Sequence, residues 1–178
     1  MDSIKQAIIE NAKIEFLRHD YDDVCLIEIC RNAGITTGAF YRRFSGKKEL
    51  IWMIVDSTMS GFKEEIKNYQ IKVADQFPNE NIEHNWLLAL VYRYRDGIQI
   101  MLRHMSIMEK ETYLEEVVEI LMDVYNIEKN NFAHIAFKSY LMALIETTLY
   151  YKNSQDAEIC MNKIRKLIGS EICGNMAI

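Results

Sequence analysis

The 178-residue chain contains a single proline, Pro78, and only seven glycines. That is too little punctuation for the many short strands and tight turns of a β-rich fold. Cysteine is scarce as well. Cys25, Cys30, Cys160 and Cys173 form no C-x-x-C pair and no disulfide-framework spacing, so they read as free thiols in a reducing cytosol. His19, His84, His104 and His134 show neither H-x-x-x-H nor mixed Cys/His spacing, which argues against a metal site. No G-x-S-x-G, phosphate loop or paired-carboxylate helix motif marks an enzyme, and none of the motifs calls for a cofactor. The first residues lack the basic-then-apolar pattern of a secretory leader. The longest apolar stretch, 132–151, is interrupted by His134, Lys138 and Glu146. Membrane insertion is therefore not expected, and a cytoplasmic location is.

What remains is 49% hydrophobic and 26% charged, the balance of a chain with a packed core. Its apolar residues recur at helical spacing, and about nine helices are expected. The first starts at Ser3, where Ser3-x-x-Gln6 reads as a capping box, and aligns Ile4, Ala7, Ile8, Ala12 and Phe16 before Asp20-Tyr21-Asp22-Asp23 breaks it. A short helix over Leu26 to Ala33 turns Leu26, Ile29, Cys30 and Ala33 inward. Gly34 suits the left-handed position that ends it, and Thr36 caps a third helix over about Thr37 to Phe44. From Lys47 runs a long fourth helix with two apolar stripes, Ile51, Val55, Met59, Phe62 and Ile66 on one and Leu50 and Ile54 on the other. A helix apolar on two sides touches two bodies, so it reads as the connection between an N-terminal module and the remainder. A loop is expected around residues 75–79. Helices follow over about 81–94 and 98–108 with a break at Arg95-Asp96-Gly97, then from the capping box Thr112-x-x-Glu115, over 131–152, and over 155–168 with Gly169 as the stop.

The formal charge of −5 argues at first against nucleic acid, but its distribution matters more. Residues 1–50 hold eight basic and eight acidic side chains, and residues 29–48 contain Arg31, Arg42, Arg43, Lys47 and Lys48 with no acid. Phosphate attraction follows the local field, so a basic patch on an acidic body is compatible with DNA. The stretch 29–44 is helix, glycine turn, helix. Small residues stand where two short helices cross, and Thr36, Thr37, Arg42 and Arg43 face outward, able to bond phosphates or base edges.

These residues resemble the tetracycline-repressor (TetR) family of transcriptional regulators over about residues 4–55. The motif runs through Ala12 and Phe16, then Ile29 and Ala33-Gly34-Ile35-Thr36, then Gly38-Ala39-Phe40-Tyr41-x-x-Phe44, and ends in Gly46-Lys47-x-x-Leu50. Asp20 stands in place of the usual glycine, Val24 or Cys25 in place of a capping threonine, and Cys30 in place of alanine. Asp22 or Asp23 is a substitute cap. The resemblance implies a third helix in the major groove, phosphates held by Tyr41 and Lys47, and Thr36, Thr37, Gly38 and Arg42 at or near the DNA. Lys47 and Lys48 also sit at a helix N-terminus, where a bound phosphate would offset their unfavourable interaction with the macrodipole.

The helix over 131–152 carries Phe132, Ile135, Phe137, Tyr140, Leu141, Leu144, Ile145 and Leu149, too wide an apolar belt for one packing face. With the last helix it would form a four-helix homodimer interface, which is also where the resemblance puts it. The resemblance further implies a small-molecule effector that releases a palindromic operator. Trp86, Tyr94, Met105, Met122, Tyr125 and Tyr140 are candidates to line its pocket, each with ordinary core packing as the competing account. Arg93, Arg103 and His104 either meet an acidic effector or form a salt-bridged face, and Cys25 and Cys30 read as buried structural thiols, with oxidant sensing as the alternative.

The expectation is thus an all-α chain. A helix-turn-helix DNA-binding domain over 1–50 is joined by a long helix to a ligand-binding and dimerisation bundle over 51–178. It is a DNA-binding regulator of the repressor type rather than an enzyme. The alternative is a helix-turn-helix derivative that binds proteins, as a coactivator does, and no longer reads DNA.

Overall fold

The computed structural model describes residues 3–76 and 83–168, with side chains described outside 70–85 and 165–178. The described residues form eight α-helices: α1 Ser3–Arg18, α2 Leu26–Asn32, α3 Thr37–Tyr41, α4 Lys47–Gln76, α5 Glu83–His104, α6 Ile107–Val124, α7 Asn131–Tyr150 and α8 Ser154–Ile168. The all-helical expectation holds, with one helix fewer than the nine expected. Most of the loop expected at 75–79 and the stop expected at Gly169 fall outside the described residues, while α4 itself reaches Gln76.

The missing break is the one placed at Arg95-Asp96-Gly97, through which α5 runs unbroken. An interior glycine costs a helix about 1 kcal/mol relative to alanine. Here it serves a close approach. A Cβ on Gly97 would lie 2.0 Å from Thr58 Oγ1 and 2.7 Å from Thr58 Cβ, so only a bare backbone lets α5 cross α4 at this point. The chain breaks instead at Met105-Ser106. Ser106 Oγ and the Ser106 backbone N–H both donate to the Glu109 carboxylate, at 2.8 and 2.7 Å. That reciprocal cap starts α6 at Ile107, five residues before the expected box at Thr112.

The chain divides into two compact units, Met1–Met59 with Asp96–Lys110, and Ser60–Arg95 with Glu111–Ile178. In the first, Ile8, Ala12 and Phe16 from α1, Ile29 and Cys30 from α2, and Phe40 from α3 are buried, as are Leu50, Ile51, Ile54 and Val55 from α4 and Ile98 and Met101 from α5. Both apolar stripes of α4 are therefore used. Arg103 donates to Leu17 O at 2.7 Å and pairs with Asp20 at 2.7 Å, and His104 Nε2 lies 2.7 Å from Phe16 O. Two groups weighed as effector contacts thus close the C-terminal end of α1, a helix end with unsatisfied carbonyls.

In the second unit the core holds Phe62 and Ile66, Leu87 and Val91, Leu114, Val117, Val118, Leu121 and Met122 of α6, Phe137, Tyr140, Leu141, Leu144 and Ile145 of α7, and Ala157 and Met161 of α8. Tyr92 holds the turn between α7 and α8, its single hydroxyl hydrogen shared between Tyr151 O and Asn153 O, each 2.8 Å from Oη. Asn126, at φ 52°, ends α6, with Ile127 N–H reaching Met122 O at 2.9 Å and Asn126 N–H reaching Asp123 O at 3.1 Å. Asn130 caps α7 by accepting from Ala133 N–H at 2.9 Å. Lys138, which interrupts the apolar run, is paired with Glu111 and Glu115. Among the described residues no helix is long and apolar enough to cross a membrane.

Candidate nucleic-acid interface

The wedge is built by α2, α3 and the turn between them. Gly34 adopts φ +69°, and its N–H donates to Arg31 O at 3.1 Å while Ile35 N–H donates to Cys30 O at 3.0 Å. This pair of bonds satisfies the last carbonyls of α2 and turns the chain sharply, which requires the left-handed conformation that glycine alone adopts without strain. Thr36 then caps α3, its Oγ1 accepting from Ala39 N–H at 3.2 Å. Phe40 is fully buried and stacks on Phe44 at 5.3 Å, which sets the inner side of α3.

With Phe40 inward, the other side of α3 faces solvent. Thr36, Thr37, Gly38, Tyr41 and Arg42 are all exposed. Tyr41 is 61% accessible, unusual for so large a ring, and packs edge-on against Phe40 at 5.3 Å. Arg42 forms no ion pair or hydrogen bond among the described residues. Gly38 has room for a side chain, since a Cβ there would meet only Thr36 Oγ1, at 3.9 Å. Nothing inside the fold requires that position to be bare.

Two predicted site residues are engaged internally. Arg43 is half-buried and donates to Ala39 O at 3.1 Å. Lys47 Nζ donates to Tyr21 O at 2.6 Å, to Val24 O at 3.2 Å and to Asp22 O at 3.3 Å, and sits 4.8 Å from the Tyr21 ring centre. The start of α4 is further held by Glu49, whose carboxylate accepts from the backbone N–H and the hydroxyl of Ser45 at 2.6 and 2.9 Å. Those bonds lower the Glu49 pKa, the backbone bond most. The turn before α2 is not capped by Asp22 or Asp23. Cys25 takes the capping position without a side-chain bond, and the N–H groups of Asp23 and Val24 both reach Asp20 O, at 3.0 and 3.1 Å. Cys25 is consequently exposed, contrary to its reading as a buried thiol, whereas Cys30 is buried and its pKa is raised by desolvation.

In the second unit, α4 and α5 enclose a half-open cavity of about 400 Å³ lined by Glu65, Asn68, Tyr69, Trp86, Ala89, Leu90 and Arg93. The Tyr69 and Trp86 rings lie 3.9 Å apart, tilted by 37°, and the Trp86 indole N–H is buried without a hydrogen-bond partner among the described residues. Glu65 pairs with Arg93 and accepts from Tyr94 Oη at 2.8 Å. Of the six residues suggested as pocket lining, Trp86 lines this cavity, and Tyr94 reaches one of its walls through Glu65. Met105, Met122 and Tyr140 are buried, with Met105 in the first unit, and Tyr125 lies 6.0 Å from Phe137. Arg93, weighed in sequence as a contact for an acidic effector or part of a salt-bridged face, lines the cavity while paired with Glu65, whereas Glu65, Asn68 and Leu90 are not among the sequence candidates. Their polar members read in sequence as a solvated helix face, and only the crossing of α4 and α5 turns them toward a shared space.

A short helix with polar outer residues, held by a glycine turn against a second helix, defines the helix-turn-helix class of DNA-binding transcription regulators. Residues 8–51, the segment that holds the wedge, match the family model of bacterial regulatory proteins, tetR family. No curated protein and no solved structure matches the chain.

Proposed function

We propose that the chain is a cytoplasmic, homodimeric repressor that lets go of a palindromic operator when a small molecule occupies its second unit. The DNA-reading role falls to residues 1–50, and ligand binding and dimerisation to 51–178. The observation that carries the reading is the outer side of α3, where Thr36, Thr37, Gly38, Tyr41 and Arg42 are exposed together over a fully buried Phe40. Tyr41 meets the phosphate backbone and Arg42 a base edge.

Pairing of two copies is supported by α7. Its inner residues Phe137, Tyr140, Leu141, Leu144 and Ile145 are buried, while Phe132 and Ile135 are 69% and 64% exposed and Tyr150 is exposed beyond them. Ala136, Ser139 and Ala143 share that outer stripe and allow a close helix approach. Ile159 of α8 is exposed as well. This stripe is largely apolar, with exposed Ser139 and Glu146 within it, and a second copy is the partner that would supply a matching face. An effector is supported by the cavity between α4 and α5, whose aromatic pair and unsatisfied indole N–H suit a flat molecule bearing a hydrogen-bond acceptor.

The test is a gel shift on duplex DNA from the region upstream of the protein's own gene. Arg42→Ala is expected to reduce discrimination against base changes by about 1–3 kcal/mol at one position in each half-site. Tyr41→Ala weakens binding to all sequences alike. Absence of binding by the wild-type protein would favour the protein-interaction alternative.

A further inference from the structure

Glu65 of α4 and Arg93 of α5 are the two charged residues that line the cavity of the second unit, and they pair with each other. Glu65 is held from a second side, accepting from Tyr94 Oη at 2.8 Å. That bond is built in. A Cβ on Gly61 would lie 2.8 Å from Tyr94 Oη, so a bare backbone there lets the phenol pass to the carboxylate. Burial first, and then the bond to Glu65, raise the Tyr94 pKa, which keeps the hydroxyl a donor. The charges on the cavity wall therefore cancel, and neither is left over for a charged guest.

What the cavity lacks is an acceptor for one donor. The indole N–H of Trp86 can only donate, and it is buried without a partner among the described residues. A donor shut away from water forfeits the bond it makes in the unfolded chain, so an acceptor brought to it gains more than an ordinary exchange of partners. The half-buried Tyr69 ring lies beside the indole at 3.9 Å, and the exposed amide of Asn68 forms no hydrogen bond among the described residues. A space of about 400 Å³ is at the small end for ligand sites and suits about two or three fused rings.

We propose that this cavity takes an uncharged, planar aromatic compound bearing a carbonyl group, and that Trp86 is the residue that selects the carbonyl. The guest lies against the indole with the Tyr69 ring swung aside, and its oxygen accepts from the indole N–H. An anion would meet the Glu65 carboxylate and a cation the Arg93 guanidinium, so the ion pair rejects both. The ligand class rests on the reading of the second unit as the effector site, and the measurements below separate failure of the one from failure of the other.

Four naphthalenes are titrated into the full chain, and the indole signals are followed in proton–nitrogen correlation spectra. The chain has two tryptophans, and Trp86→Phe, which removes one indole signal, assigns them. Should that variant not fold, Trp52→Phe assigns them instead, and the comparison of probes on wild type stands by itself. Acetylnaphthalene is expected to move the Trp86 indole proton to higher frequency, as a new hydrogen bond does. It should bind roughly tenfold more tightly than ethylnaphthalene, which has the same outline without the oxygen. In a folded Trp86→Phe that preference is lost. Naphthoate and trimethyl(naphthyl)ammonium are expected to bind roughly tenfold more weakly than acetylnaphthalene, and Glu65→Gln, which leaves Arg93 unbalanced, improves naphthoate alone. Equal affinity for acetylnaphthalene and ethylnaphthalene, an unmoved Trp86 signal, or a charged probe bound as tightly as acetylnaphthalene overturns the proposal. Release of a labelled upstream duplex is read separately by anisotropy. Binding at Trp86 without release upholds the ligand class and refutes the effector role, whereas release by acetylnaphthalene with the Trp86 signal unmoved upholds the effector role and refutes this site.

Discussion

Gly38→Ala separates folding from DNA binding in one methyl group. Gly38 is exposed, is the second residue of α3, and is not among the glycines held at positive φ. An added Cβ would touch only Thr36 Oγ1, at 3.9 Å, an ordinary contact. Replacing glycine by alanine where the backbone already suits alanine stabilises a protein by about 0.4–1 kcal/mol, chiefly by restricting the unfolded chain. The variant is therefore expected to unfold at higher urea concentration than wild type. Against DNA the same methyl enters a surface in contact, where overpacking costs on the order of 1–3 kcal/mol. At about 1.4 kcal/mol per factor of ten, affinity falls roughly 5- to 150-fold. The salt slope should not change, because no charge is lost. Urea titration by circular dichroism and anisotropy on a labelled duplex at fixed salt measure the two effects. Undiminished affinity would show that α3 does not meet DNA at residue 38, and lowered stability would refute the packing account.

Gly97→Ala has the opposite sign for folding. Helix propensity favours alanine by about 1 kcal/mol, but the clash with Thr58, whose hydroxyl is fixed on Ile54 O at 2.7 Å, costs on the order of 1–3, and a urea midpoint at or above the wild-type value would sink the account of the crossing. Ile135→Glu places a charge in the outer stripe of α7, so light scattering after size exclusion should report a helical monomer, and an unchanged dimer mass would exclude that face. For pH, Glu49 and Glu109 both have folded pKa values below the ordinary 4.5, caused first by the backbone bonds of Ser45 and Ser106. A carboxylate depressed in the folded state contributes stability that is complete above its unfolded value and disappears as pH falls through the folded one. Stability measured by urea titration should therefore drop below about pH 4.5, and Glu49→Gln with Glu109→Gln should flatten that limb. An unflattened limb would assign the acid sensitivity to other groups.

The helices were legible where the signal is local. Phe16, Ile29 and Phe40 recur at helical spacing and are buried, and Gly34 announced a left-handed turn. The errors arise where a residue answers to something distant in sequence. Gly97 reads as a breaker because its partner, Thr58, lies on another helix, and a glycine that permits a crossing has the same local signature as one that ends a helix. Thr112-x-x-Glu115 and Ser106-x-x-Glu109 are equally good capping patterns, and the choice between them depends on where α5 stops, which the crossing decides.

The same limit governs the site. Spacing puts basic residues on the wedge but cannot say which cations are free. Arg42 and Lys47 stand five positions apart in the same motif, and one is exposed without an ion pair among the described residues while the other holds three carbonyls. Of the acids near them, Glu28 is paired with Arg31 and Asp20 with Arg103, whereas Glu49 is held by the neutral N–H and hydroxyl of Ser45 and keeps its charge. An acidic chain can present a positive edge to DNA when its carboxylates are neutralised locally and one guanidinium is not. Composition averages over that difference, and tertiary neighbours create it. The pairing around α3 therefore eases the electrostatic objection raised by the overall charge at Glu28 and Asp20, while Asp22 and Asp23 stay exposed and Glu49 stays charged.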